Sequence, residues 1–159
     1  MVHYRGTSRQ INRPAAEVFD IVGTHAFEYQ PQWEEEVVEV RRLTPPPMGV
    51  GSRAIMVRDE RGKRKEVEYE VVGFEPGHRV DYHHNVTDAD FDLSISVRAL
   101  STDSSDITAE LTMKLHGLQR MLEPLIGLGM PKVGGRILVG MADVAETAPA
   151  HLNSPRSNQ

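Results

Sequence analysis

Two consecutive segments in which apolar and polar residues alternate strictly constrain this chain most. In DFDLSISVRAL, Phe91, Leu93, Ile95, Val97 and Ala99 fall on one side, and Asp92, Ser94, Ser96 and Arg98 on the other. In DITAELTMKLHG, Ile107, Ala109, Leu111, Met113 and Leu115 oppose Thr108, Glu110, Thr112, Lys114 and His116. A period of two is that of a strand with one covered and one wet face. The same reading gives strands over 34–43, 52–60, 64–74, 78–86, 90–100 and 105–116, with a weaker first strand over 2–10. The breaks ERGK, EPGH, TDAD and STDSSD carry turn residues and are too short for parallel crossovers. The result is about seven strands in antiparallel order. Arg61, Lys63, Arg64 and Lys65 read as a charged hairpin turn, and TPPPMGVG as a rigid loop.

Helical spacing occurs in three places. In NRPAAEVFDIV, Pro14 stands near a helix start, and Ala15, Val18, Phe19 and Val22 share a face. This predicts a helix over 14–22, ended by Gly23. HAFEYQPQW predicts a second short helical or turn segment, stopped at or before Pro31. From 118 to 146, Leu118, Leu122, Leu125, Ile126, Val133, Ile137, Met141 and Val144 recur near helical spacing. Pro124 and Pro131 each remove a helical hydrogen bond if interior. The expectation is a turn up to Pro124, then a long helix kinked or broken at Pro131. The tail from Ala148 is polar and aperiodic and reads as disordered, leaving one domain over 1–147 and a tail over 148–159.

A sheet with one apolar face must cover it, and the last helix is the only element large enough. A curved sheet wrapped around a single helix cannot fill its own interior, so a cavity between them is expected. Phe91, Ile95, Met113 and Leu115 should meet Leu122, Leu125, Val133, Ile137 and Met141 there. Met113, Met121, Met130 and Met141 would suit an adaptable pocket wall. The glycines of IGLGMPKVGG would allow close helix–sheet approach or a gate; the run lacks the order of a phosphate loop.

The run RVDYHHNV tests whether adjacent histidines form a metal site. Strand parity separates them: Val80, Tyr82, His84 and Val86 face inward, while Arg79, Asp81, His83 and Asn85 face outward. His83 and His84 therefore make a poor chelating pair, and no HExxH, HxH or cysteine spacing accompanies them. His84, with Tyr82 and Tyr69 of matching parity, becomes a candidate pocket residue able to make a directional hydrogen bond or move a proton. Trp33 is the other aromatic candidate, as fold packing or pocket lining. Glu34 and Glu36 share a strand face in water by this reading, as do Glu66, Glu68 and Glu70.

Composition narrows the classes. The net charge of −5 gives no support to a nucleic-acid backbone binder. The absence of cysteine excludes disulfides, thiolate ligands and cysteine nucleophiles. No apolar signal core or run of 18 apolar residues is present, so a cytoplasmic protein without stable membrane insertion is expected. Neither a metal nor a cofactor is expected, and a homodimer is the default assembly.

The element order, with PAAEVFDIV near the start, Trp33, GVGS at 49–52, VEYEVVGFEPGHRVDY at 67–82 and a closing amphipathic helix, resembles the helix-grip superfamily. This is the START-like or Bet v 1-like (SRPBCC) group, and the likeness is greatest to its polyketide cyclase/dehydrase branch, over about residues 2–146. Pro14, Ala15, Val18 and Phe19 match its first helix; Trp33, Gly51, Pro76 and Tyr82 match core and turn positions. The resemblance implies an α+β fold, a seven-stranded antiparallel sheet gripping a C-terminal helix around an apolar ligand cavity, with two short helices after the first strand. It implies no universal catalytic set. The expected function is binding of an apolar or aromatic small molecule, lipid- or polyketide-like. Trp33, Tyr69, Tyr82, His84 and Phe91 would contact it with Ile95, Met113, Val133, Ile137 and Met141. Two alternatives stay open: a polyketide cyclase, dehydrase or aromatase using His84 and Tyr82 as acid–base groups, and a non-enzymatic scaffold or stress-related protein.

Overall fold

The computed structural model describes residues 1–86 and 88–149. The predicted disordered tail lies outside the described residues from 150 onward. The chain forms β1 (Val2–Thr7), α1 (Ala15–Phe19), a π-helical turn (Asp20–Thr24), α2 (Ala26–Trp33), then β2 (Val37–Arg42), β3 (Arg53–Glu60), β4 (Lys63–Glu75), β5 (Arg79–Val86), β6 (Ala89–Ser101) and β7 (Ser104–Leu115). A 3-10 turn (Gly117–Leu122) leads into α3 (Glu123–Thr147). All seven strands join one antiparallel sheet in the order β1-β7-β6-β5-β4-β3-β2. Consecutive strands are neighbours except that β1 closes beside β7. The sheet curves around α3, which gives the helix-grip fold.

The alternating segments explain the core. Ile95, Val97, Ile107, Ala109 and Met113 are buried, while Asp92, Arg98 and Lys114 on the other face are exposed. Val71, Val80 and Ile107 are fully buried, each worth about 1.5–3 kcal/mol relative to exposure. Ala99 departs from the inward set: the β6–β7 register slips between Ala99 and Ser101, and Ala99 is exposed. On the outer face, Arg98 reaches Asp106 at 2.6 Å, and Glu66 and Glu68 pair with Arg41 and Arg53.

The helices depart further from the sequence expectation. Gly23 does not end the first helix. α1 passes into a π turn through Thr24, and Gly23 packs on the Phe19 ring, where a Cβ would fall 2.5 Å from Cζ. Pro31 lies inside α2. It removes one hydrogen bond, which burial of Phe27 and Tyr29 offsets. Pro124 takes the first turn of α3, where no hydrogen bond is lost, and α3 runs unbroken through Pro131. Pro131 frees the carbonyl of Gly127, which is partly exposed and can be hydrated.

α3 approaches its neighbours tightly at Gly134, against β1, and at Gly140, against α2. A Cβ at Gly134 would lie 2.3 Å from the Tyr4 ring, and one at Gly140 would lie 2.6 Å from the Trp33 carbonyl oxygen. Gly127, Gly129 and Gly135 face open space. Leu138, Met141, Ala142 and Ala145 form the buried face of α3. Leu122 and Leu125 do not meet the sheet as expected, and Met121 is no pocket wall: all three are exposed on the outside of the molecule. Ile126 and Met130 take the inward role, against Val2, Ala89, Met113 and Leu115.

Candidate functional site

The sheet and α3 enclose a cavity of about 560 Å³, within the range of small-molecule sites. Its floor comes from inward positions of five strands. Tyr69 stands on β4, Tyr82 and His84 on β5, Phe91, Leu93 and Ile95 on β6, Ala109, Leu111 and Met113 on β7, and Tyr4 on β1. Its roof is the inner face of α3, with Met130, Val133, Ile137 and Met141. Trp33, Gln30 and Ala26 of α2 close one side, and Met56, Arg58, Glu60 and Lys65 of the β3–β4 hairpin form the rim. All ten residues singled out from the sequence line this one cavity.

Strand pairing builds an aromatic row across the floor. Tyr69 opposes His84, and His84 opposes Phe91. The Tyr69 ring lies 5.4 Å from Phe27 edge-on, 5.6 Å from Tyr82 and 5.1 Å from His84, which lies 6.1 Å from Phe91. These separations favour tilted and edge contacts over stacking face to face.

The three polar tips of that row differ in their partners. The Tyr69 hydroxyl donates to Gln30 Oε1 at 2.7 Å. The Tyr82 hydroxyl and His84 Nε2 are buried and have no hydrogen-bond partner among the described residues. Such atoms are rare and costly in a native interior. Burial pushes the Tyr69 and Tyr82 phenols well above their ordinary range. Burial lowers His84 to about 4, helped by His83 and Arg58 against Asp92. All three groups are therefore uncharged at neutral pH.

His83 faces outward as parity requires. Its partner is Asp92 on the neighbouring strand, at 2.8 Å. Asp81 instead accepts from Arg79 at 2.7 Å. Among the described residues no cluster of three His, Asp or Glu side chains has a metal-binding arrangement. Val86, expected to face inward with His84, lies outside the described side chains.

The rim holds what the sequence reading missed. Glu34 is not in water: it ends α2, only 14% exposed, and binds Arg58 at 2.6 Å. Arg58 also bonds Glu36 at 2.6 Å and Glu60 at 3.2 Å. Gln30 Nε2 donates to Glu34 Oε2 at 3.1 Å, linking this cluster to Tyr69. A signal was present, since Ala54, Met56 and Arg58 share one parity on β3 and place a cation on an apolar face. The partner on another element was not legible.

Solved structures share this architecture at low sequence identity. TTHA0849 from Thermus thermophilus superposes with a TM-score of 0.73 at 16% identity, covering 93% of this chain and 99% of that one. A START superfamily protein from Mycobacterium smegmatis gives 0.64 at 18% identity, over 89% and 97%. The Zhui aromatase/cyclase from Streptomyces sp. R1128 gives 0.69 at 12% identity, over 91% and 93%. No curated protein matches in sequence. The family described as polyketide cyclase / dehydrase and lipid transport matches residues 5–146, nearly the whole of the sheet and the gripped helix, and the chain belongs to that family.

Proposed function

We propose that this protein binds an uncharged, mostly apolar small molecule carrying a hydrogen-bonding oxygen that meets Tyr82 and His84. The observation that carries this reading is the pair of buried, partnerless polar atoms on the floor of an otherwise apolar cavity. An aromatic or polyketide-like ligand with a carbonyl or hydroxyl fits both halves of that description. Its carbon frame would lie against the aromatic row and α3. Its oxygen would accept from the Tyr82 hydroxyl or bond the neutral imidazole. Enclosing roughly 300 Å² of apolar surface contributes about 7 kcal/mol before association costs. A charged ligand is disfavoured, because no unpaired buried charge on the floor would compensate its desolvation.

The binding reading is favoured over an acid–base enzyme by the state of the polar groups. Efficient proton transfer needs a group that titrates near the working pH. His84 lies near 4 and the phenols well above neutrality. They suit fixed hydrogen bonds better than proton shuttling.

Titration with 2-naphthol and naphthalene, followed by tryptophan fluorescence from Trp33, tests the reading. Both should bind. Tyr82→Phe should weaken 2-naphthol about five- to tenfold, the worth of one hydrogen bond, and leave naphthalene unchanged. Failure of both to bind, or equal weakening of both, would overturn it. Native mass spectrometry of freshly purified protein then searches for a retained natural ligand.

A further inference from the structure

Five large apolar side chains stand in water within one short stretch. Leu118 is 88% exposed, Met121 81% and Leu128 82%, with Leu122 and Leu125 also exposed. They occupy the 3-10 turn and the first turns of α3, while the inner face of that helix is committed to the sheet. Contiguous patches of this kind on an otherwise soluble domain mark a contact surface.

Strand register locates the patch. β7 ends at Leu115 opposite Ala89, and β5 ends at Val86 opposite the same hairpin. β4 runs antiparallel to β5, so the β3–β4 hairpin tip lies at this end too. The cavity is lined by Glu60 and Lys65 of that hairpin and by Met130 and Val133 of α3. Its rim therefore lies between the basic tip and the apolar helix start.

The charge at this end runs against the net charge of −5. On α3, Lys132 and Arg136 follow Leu128 at four and eight residues and so continue its exposed stripe, while the acids Asp143 and Glu146 lie near the other end of the helix and pair with Arg9. Among the described residues Arg61, Lys63, Arg64, Lys132 and Arg136 make no ion pair. The acids nearby are engaged: Asp59 by the Gly62 amide, Glu60 by Lys65 and Arg58, Asp90 by His116, and Glu123 by the Leu115 amide. Asp88 in the β5–β6 turn and Glu35, just before β2, are the remaining acids there, without an ion pair among the described residues, against five such bases.

We infer that this end of the molecule docks on an anionic lipid surface. The leucines and Met121 enter the headgroup boundary, and the unpaired bases meet the lipid phosphates and carboxylates. The cavity rim then faces the bilayer, so an apolar ligand exchanges with lipid without crossing bulk water. Charge argues against a second copy as the occupant. A two-fold contact sets the patch against itself and would bring Lys132 and Arg136 of both copies together with no acid to meet them.

Docking goes beyond the ligand reading and does not rest on it. Co-sedimentation of the full chain with ligand-free vesicles tests it, using phosphatidylcholine alone and phosphatidylcholine mixed with phosphatidylserine. The protein should partition onto the anionic vesicles only, and less at high salt. Leu118→Gln and Leu128→Gln should each weaken partition about tenfold, and Lys132→Ala and Arg136→Ala about fivefold each. These side chains are exposed, so their melting curves should match the parent's. Equal binding to both vesicle types, no binding to either, or variants that bind like the parent would overturn the inference. So would a dimer in light scattering that the leucine substitutions dissolve, which would assign the face to a second copy. Tyr82→Phe should leave partition unchanged, so docking and cavity binding fail or hold separately.

Discussion

His84 and Tyr82 show how one strand position acquires a role. On β5, His84 differs from His83 only in parity, yet parity sends His84 with Tyr82 into an apolar cavity and His83 with Asp81 to the outer face. Because burial holds His84 near 4, below an unfolded value near 6.5, the unfolded chain binds its proton first as pH falls. The contribution of neutral His84 is thus fully present above about pH 6.5 and is lost toward pH 4, ~3 kcal/mol in all. Urea unfolding across that range should show the slope, and His84→Gln should remove it. Tyr82→Phe should leave the empty protein as stable or about 1 kcal/mol more stable, since an unpaired buried hydroxyl disappears. Chemical denaturation without ligand checks this; a clear loss of stability would mean the hydroxyl is satisfied. Strand alternation made both residues legible, because it depends only on neighbours in sequence. Glu34 was misplaced because its environment is set by Arg58, 24 residues away on another element.

At the scale of elements, α3 presents three kinds of glycine and two prolines that local rules treat alike. Gly140→Ala would press a Cβ onto the Trp33 backbone and should cost about 1–3 kcal/mol as an overpacked contact. Gly127→Ala and Gly129→Ala, in open space on the same helix, should stabilise by about 0.5–1 kcal/mol. Thermal melts of the three variants separate the cases; destabilisation at Gly129 would contradict the open placement. The length of the helix was legible from its apolar spacing. Its continuity through Pro131 was not, since a proline's cost depends on whether the freed carbonyl can reach water. The outward turn of Leu122 and Leu125 was equally hidden, because the stripe of α3 that meets the sheet is set by the packing of Ile126, Met130 and Leu138, and Leu122 belongs to the 3-10 turn before it.

For the whole molecule, a bound ligand should raise stability by mass action. At a concentration a hundred times its dissociation constant the gain is about 2.7 kcal/mol, a rise of about 5–10 °C in Tm for a domain of this size. Differential scanning fluorimetry with 2-naphthol reads it, and no shift at saturation would count against binding in the cavity. The sequence alone determined the strands, their antiparallel order, the closing helix and the inward parity of the cavity floor. These come from periodicities of two and 3.6 and from breaks too short for any crossover. Only the tertiary structure decided which polar groups find partners. Tyr69 meets Gln30, Glu34 meets Arg58, and the Tyr82 hydroxyl and His84 Nε2 find no hydrogen-bond partner among the described residues, because each outcome depends on distances between elements far apart in the chain. It also decided which face of α3 meets the sheet and which leucines stand in water. Packing geometry, and not spacing along the chain, sets the phase of a helix against the sheet that grips it.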